Sequence, residues 1–211
     1  MTQIRVLLWR HAPTPHNAAG RLQGRSDTDI DSEGLDKADL AAAEIVKRYG
    51  IDLLVYSSPL RRASATAQAL TALLGVGDPQ VRPGLTQRSY GEWEGRTLEE
   101  LALSNPVQLA RRNAGLDPDI EGWETGAAVA ARVGAEIRTL AAQAGASSGK
   151  EKPTLVLASH GSALGMGLRD LLGLDPDDAR LGSIRHANWS EVVLAAEAGT
   201  WSLLAHNTGL F

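Results

Sequence analysis

The chain has 211 residues, 43% of them hydrophobic, a formal net charge of −4 and no cysteine. That length suits one well-buried domain, and the charge speaks against a nucleic-acid coat or a polybasic membrane patch while leaving room for a local basic pocket. Without cysteine there are no disulfides, thiolate metal sites or cysteine nucleophiles, so any covalent chemistry uses another side chain.

No apolar run reaches the roughly 18 to 20 residues of a membrane span, and the N-terminal stretch meets charge at Arg5 and Arg10 too early for a secretory leader. A cytoplasmic protein with no membrane partner is expected. Residues 4–9 form a short apolar run that ends in Arg10-His11-Ala12-Pro13-Thr14, the pattern of a buried strand delivering its C-terminal end to a loop. Ser32-Glu33-Gly34 then opens a helix, with Leu35, Ala38, Leu40, Ala42 and Ile45 along it and Tyr49-Gly50 closing it. Residues 51–56 predict a second strand, and Ser57-Ser58-Pro59 starts an alanine-rich helix. From 97 to 145 the chain is mostly helix-like, broken at Asn105-Pro106 and through 115–126. Segment 92–145 is therefore expected to be a mainly helical insertion forming part of a lid.

Residues 144–153, rich in Gly, Ser and Lys, predict a surface loop. A strand at 154–158 follows, running into Ser159-His160-Gly161-Ser162 and another helix. Segments 188–195 and 200–205 predict an antiparallel β pair at the sheet edge, where a second copy could dock to give a homodimer. The whole chain, 1–211, thus predicts a single α/β domain: a three-layer sandwich with a mostly parallel central sheet, helices on both faces and a helical insertion over the site.

The chemistry-bearing residues stand at matching punctuation. Arg10 and His11 follow the first strand, Arg61 and Arg62 begin the helix after the second, and His160 follows a later strand. In a parallel sheet these strand ends share one edge, which is where ligands bind in open α/β folds. Arginine forks, imidazoles and helix N-termini suit a phosphoryl group with developing charge. No His-x-x-x-His or carboxylate spacing supports a metal site, so neither a metal nor another cofactor is expected.

These residues carry a resemblance to a known family. Leu8-Trp9-Arg10-His11-Ala12-Pro13-Thr14-Pro15-His16-Asn17 resembles the opening signature of the histidine phosphatase superfamily, the phosphoglycerate-mutase-like fold. Gly20-Arg21-Leu22-Gln23-Gly24, Ser57-Ser58-Pro59-Leu60-Arg61-Arg62-Ala63, Gly91-Glu92-Trp93-Glu94-Gly95 and Ser159-His160-Gly161 resemble further signatures, in the family's order. The stretches 182–190 and 201–207 resemble actinobacterial members that dephosphorylate glucosyl-phosphoglycerate.

The resemblance implies a metal-independent phosphatase of the small phosphatase branch, acting on a small phosphorylated metabolite such as a sugar phosphate or phosphoglycerate. A mutase-type transfer is the alternative within enzymes. His11 would attack phosphorus to give phosphohistidine. Arg10, Arg62 and His160 would hold phosphoryl oxygens, Arg61 would lie at the rim, and Asn17, Gln23, Thr14 and Gly161 would line the pocket.

Three positions depart from the family pattern. Ala12 replaces glycine after the Arg-His pair, which costs strain only at positive φ. His16 replaces a bulky aromatic. Gln87 stands where glutamate normally serves as general acid, and an amide cannot donate that proton. Four readings are open: Glu92 or Glu94 substitutes, the substrate has an acidic leaving group, the residue is an engineered change, or the chain is a phosphoester-binding pseudoenzyme with little turnover. Trp93, Trp123, Arg96, Arg111 and Arg112 are read either as lid packing or as contacts to a sugar or a further acid group.

Overall fold

The computed structural model describes residues 3–146, 154–176 and 178–210; of the loop expected at 144–153, residues 147–153 lie outside the described residues. Six strands form one sheet: β1 (Gln3–Arg10), β2 (Leu53–Ser57), β3 (Gln80–Val81), β4 (Thr154–Ser159), β5 (Trp189–Ala195) and β6 (Thr200–Thr208), in the order β3-β2-β4-β1-β5-β6. The first four strands are parallel, while β5 runs antiparallel to β1 and β6 antiparallel to β5. This is the expected mostly parallel sheet, with β6 at one edge. The two-residue β3 has no apolar pattern to announce it.

Helices cover both faces because the sheet's side chains alternate between two apolar clusters. On one face Leu7, Trp9, Val55 and Val156 meet α2 (Ser32–Tyr49) and α3 (Arg61–Leu74). The small buried faces of those helices, Ala38, Ala41, Ala42 and Ala67, let them approach closely. On the other face Ile4, Val6, Leu8, Leu155 and Leu157 meet α6 (Gly126–Ala146) and α7 (Gly161–Leu171). Burying a leucine or valine of this kind contributes about 1.5–3 kcal/mol.

The expected insertion is narrower than 92–145. Val129, Val133, Ile137 and Leu140 recur at helical spacing on α6 and belong to the main core, so α6 is a layer of the sandwich and not part of a lid. The lobe that remains, about 91–124, carries α4 (Leu98–Ser104) and α5 (Pro106–Asn113) around a separate cluster of Tyr90, Trp93 and Leu101. Isolated bridges Arg21↔Thr97 and Tyr90↔Trp123 tie this lobe to the loop after α1 (Pro15–Ala18) and to the Gln87 segment.

Among the described residues no helix is long and apolar enough to cross a membrane.

Candidate active site

At the C-terminal edge of the parallel strands lies an open cavity of about 600 Å³, lined among others by Arg10, His11, Asn17, Gln23, Arg62, Gln87, Tyr90 and Gly161. His11 leaves β1 fully inside the protein, and its Nδ1 stands 2.7 Å from the Ala12 carbonyl. A carbonyl only accepts, so Nδ1 carries the proton and Nε2 keeps its lone pair. Burial, and then the charges of Arg10 and Arg62, push the His11 pKa well below the usual imidazole value, which keeps the ring neutral. Ala12 is not among the positive-φ residues and its methyl group is buried in the core, so the departure from glycine carries no strain.

His160 ends β4, with its ring centroid 5.1 Å from that of His11. Its Nε2 lies 2.8 Å from Ser58 Oγ, while Nδ1 is buried without a partner among the described residues. Burial lowers its pKa well below normal, helped by His11 and the two arginines.

The arginines are anchored by acceptors that carry no full charge. Arg10 Nη1 donates to the Ile184 carbonyl at 2.7 Å and Nη2 to His186 Nε2 at 2.7 Å; Arg62 Nη1 and Nη2 donate to the carbonyls of Ser26 and Gly24 at 2.8 and 2.7 Å. In each guanidinium Nε is buried and unpartnered among the described residues. Burial lowers both pKa values to about 10, so both groups stay charged at neutral pH. Among the described residues neither makes an ion pair with a carboxylate.

Arg61 points outward and pairs with Asp27 and Asp29 instead. Gly161 matters sterically: a Cβ there would sit 3.0–3.2 Å from the Arg10 guanidinium.

The loop at 20–28 supplies the opposite wall. Gln23 is buried, with Oε1 accepting from the Thr28 hydroxyl. Asn17 Oδ1 accepts from the Thr14 backbone and hydroxyl at 3.1 and 3.0 Å, leaving Nδ2 for the cavity. Thr14 itself caps α1 and is absent from the cavity lining, so it positions Asn17 rather than the ligand. His16 is half-buried in α1, also outside the cavity lining.

Gln87 faces the cavity with its amide nitrogen, because Oε1 accepts from the backbone N–H groups of Arg88 and Ala163 at 2.9 and 3.2 Å. Neither proposed replacement acid is placed for the task. Glu94 accepts from Arg25 N, Ser26 N, Ser26 Oγ and Tyr90 N at 2.9–3.1 Å, and Glu92 is exposed and outside the lining.

The aromatic and arginine side chains of the 91–124 lobe serve its own packing. Trp93 is buried in its own cluster, Trp123 packs between Tyr90 and Trp93, and Arg96, Arg111 and Arg112 bond within the lobe. None of the five lines the cavity.

Arg21, Tyr90, Ser162, Ser183 and His186 line or adjoin the cavity as well, although the sequence assigns them no role. Ser162 is adjacent to the His160 signature, Tyr90 lies three residues beyond Gln87, and Arg21, Ser183 and His186 fall inside the 20–24 and 182–190 stretches that resemble family members. His186 reaches Arg10 because β5 runs antiparallel to β1. Burial, Arg10 and Lys37 lower the His186 pKa to about 3. Next to it, Ala187 takes a left-handed φ of 60° and directs its N–H at the Arg10 and His11 carbonyls, 3.2 and 3.3 Å away. Among the described residues no group of three or more His, Cys, Asp or Glu is placed to hold a metal ion.

Two buried cations and a neutral imidazole thus line one cavity. Residues 6–209 match the histidine phosphatase superfamily (branch 1), and the chain belongs to that family, whose class here is that of a phosphomonoester hydrolase. It is 34% identical over 198 residues to a glucosyl-3-phosphoglycerate phosphatase of Mycolicibacterium vanbaalenii, covering 89% of this chain and 83% of that protein. The structure of a mycobacterial glucosyl-3-phosphoglycerate phosphatase superposes with a TM-score of 0.84 at 28% identity, covering 99% of this chain and 100% of that one. A phosphoserine phosphatase of Entamoeba histolytica, solved with 3-phosphoglyceric acid, superposes with a TM-score of 0.79 at 25% identity, covering 97% of both chains.

Proposed function

We propose that this chain hydrolyses a small phosphomonoester whose leaving group carries an acid or a sugar, of the glucosyl-phosphoglycerate type, through a phosphohistidine on His11. The observation that carries this reading is the pair of buried guanidiniums, Arg10 and Arg62, held by carbonyls and His186 beside the free Nε2 of His11. Two such buried charges call for a dianion, and their preorganisation favours the more highly charged transition state. His11 Nε2 attacks phosphorus; the Arg10 and Arg62 guanidiniums on the cavity wall hold the phosphoryl oxygens, with His160 buried against His11. The Gln87 and Asn17 amide groups add neutral donors, and Gly161 lets Arg10 lie against the start of α7.

The leaving group has room beyond the phosphate. A second cavity of about 580 Å³ shares Gly161, Ser162 and Ser183 with the first and continues along Gly165 and Gly182. Arg21 stands exposed at the mouth, its Nη1 bonded to the Gly95 carbonyl and paired with Glu100, and a substrate carboxylate would compete with Glu100 for it. Both compounds named for the relatives, glucosyl-phosphoglycerate and phosphoserine, carry one.

The test is a panel of phosphoglycerate, sugar phosphates, phosphoserine and an aryl phosphate, with and without chelator. Inorganic phosphate released at equal rates with chelator, an acid-labile phosphoprotein, and loss of at least about 10³-fold in His11→Gln are expected. Full activity in His11→Gln overturns the assignment. An isomeric phosphoester as product establishes mutase chemistry, and a stoichiometric burst without turnover establishes a binding protein.

A further inference from the structure

Expulsion of an alkoxide needs a proton, and no carboxylate among the described residues lines the cavity. Gln87 cannot release one, Glu94 is held by four donors and Glu92 faces solvent. One side chain of the lining does carry an O–H more acidic than an alcohol. Tyr90 is buried, and its hydroxyl lies 2.6 Å from Ser162 Oγ in the first turn of α7.

We propose that Tyr90 is the general acid of this site, with Ser162 as its positioning residue, in place of the carboxylic acid that Gln87 displaces. The inference rests on the phosphatase reading above.

Tyr90 is held for such a role from both ends. Its backbone N–H donates to Glu94 Oε1 at 3.1 Å and its ring packs on Trp123 with centroids 5.4 Å apart, so the phenol has little freedom to swing. At the other end the Ser162 hydroxyl can donate to a phenolate. Gln87 complements this. Its oxygen is fixed by two backbone N–H groups, so its amide N–H can donate to an oxygen of the substrate and orient it without transferring a proton.

The steps balance. As His11 Nε2 bonds to phosphorus, the bond from phosphorus to the leaving oxygen breaks and that oxygen takes the Tyr90 proton, leaving as an alcohol. Water then attacks the phosphohistidine; one of its protons returns to the Tyr90 phenolate, the N–P bond breaks, and hydrogen phosphate and neutral His11 result.

Leaving-group dependence separates an acid from a ligand. Wild type should turn over both an alkyl and an aryl phosphate. Tyr90→Phe should lower kcat/KM on the alkyl ester by about 10²-fold or more, and at least tenfold more than on the aryl ester, whose leaving group needs little protonation. Ser162→Ala should shift the alkyl-to-aryl ratio in the same direction by a smaller factor. Gln87→Glu in the Tyr90→Phe background should restore the alkyl rate. Equal losses on both esters would mark Tyr90 as a binding residue and overturn the proposal, as would an unchanged ratio in either variant. Wild type active on the aryl ester alone also overturns it while sparing the phosphatase reading. Failure of wild type on both esters is failure of that reading. Circular dichroism and melting of each variant show that it is folded; should Tyr90→Phe not fold, Ser162→Ala decides on the same ratio.

Discussion

The residue that sets the electrostatics of the site is Arg10, and its place depends on an absent side chain. Gly161 leaves only enough room for the guanidinium; an added Cβ would meet Cζ at 3.0 Å and Nη1 at 3.1 Å. Arg10 is held on its far side by Ile184 O and His186 Nε2, so it cannot retreat without giving up one of them. Gly161→Ala should therefore lower kcat/KM by about tenfold or more through displaced charge, the order of effect expected when a positioned donor moves by part of an ångström. Because the position has no positive φ, stability should change by less than about 1 kcal/mol. Kinetics and urea unfolding of the same preparation check both halves, and a large loss of stability would show that the backbone, not Arg10, had moved. The contrast with Ala12 is instructive. There a methyl group replaces a family glycine without consequence, because φ is negative and the methyl enters the core.

At the scale of elements the site is a meeting of strand ends with the loop at 20–28, and that loop is organised by one carboxylate. Glu94 accepts from Arg25 N, Ser26 N and Ser26 Oγ, and so fixes the segment whose Gly24 and Ser26 carbonyls hold Arg62. Gly24 permits the approach: its φ is +53° and a Cβ would fall 2.1 Å from Glu94 Oε1. Glu94→Ala leaves four donors without their acceptor, a loss of about 1–3 kcal/mol after partial rescue by water, or roughly 2–10 °C in Tm for a domain of this size. It should also raise KM, since Arg62 and Gln23 lose their frame. Calorimetry and KM measured together test this; a normal KM would free the loop from any role in binding. Much of this level was legible beforehand. The apolar runs before Arg10 and His160 read as strands because each is short and rich in apolar residues, and capping residues marked α2. The lid was misjudged because α6 is alanine-rich, and composition does not distinguish a core helix from an insertion helix; only its contacts with the sheet do. Tyr90 and His186 were illegible for a different reason. Their roles arise from contacts across 72 and 176 positions of chain, and the 182–190 stretch, although it resembles family members, does not by itself bring His186 to Arg10.

The whole molecule pays for this pocket in its acid stability. Three histidines, His11, His160 and His186, are buried beside arginines, and each has its pKa pushed below the ordinary value, that of His186 to about 3. In the unfolded chain all three titrate near 6.5. Below that pH the unfolded state binds protons that the native state refuses, so native stability falls as pH falls. Each histidine contributes up to about 1.4 kcal/mol per pH unit, hence up to about 4 kcal/mol per unit for three. Above about pH 7.5 the effect vanishes, since both states are then neutral. The window between 6.5 and 5 isolates it, because carboxylates titrate lower. Urea unfolding at pH 7.5, 6.5, 5.75 and 5.0 should show this steep decline, and His186→Asn should reduce the slope by about one proton, with its amide oxygen still able to accept from Arg10. An unchanged slope in that variant would mean that His186 is protonated in the native state, and that Arg10 is not held by its lone pair.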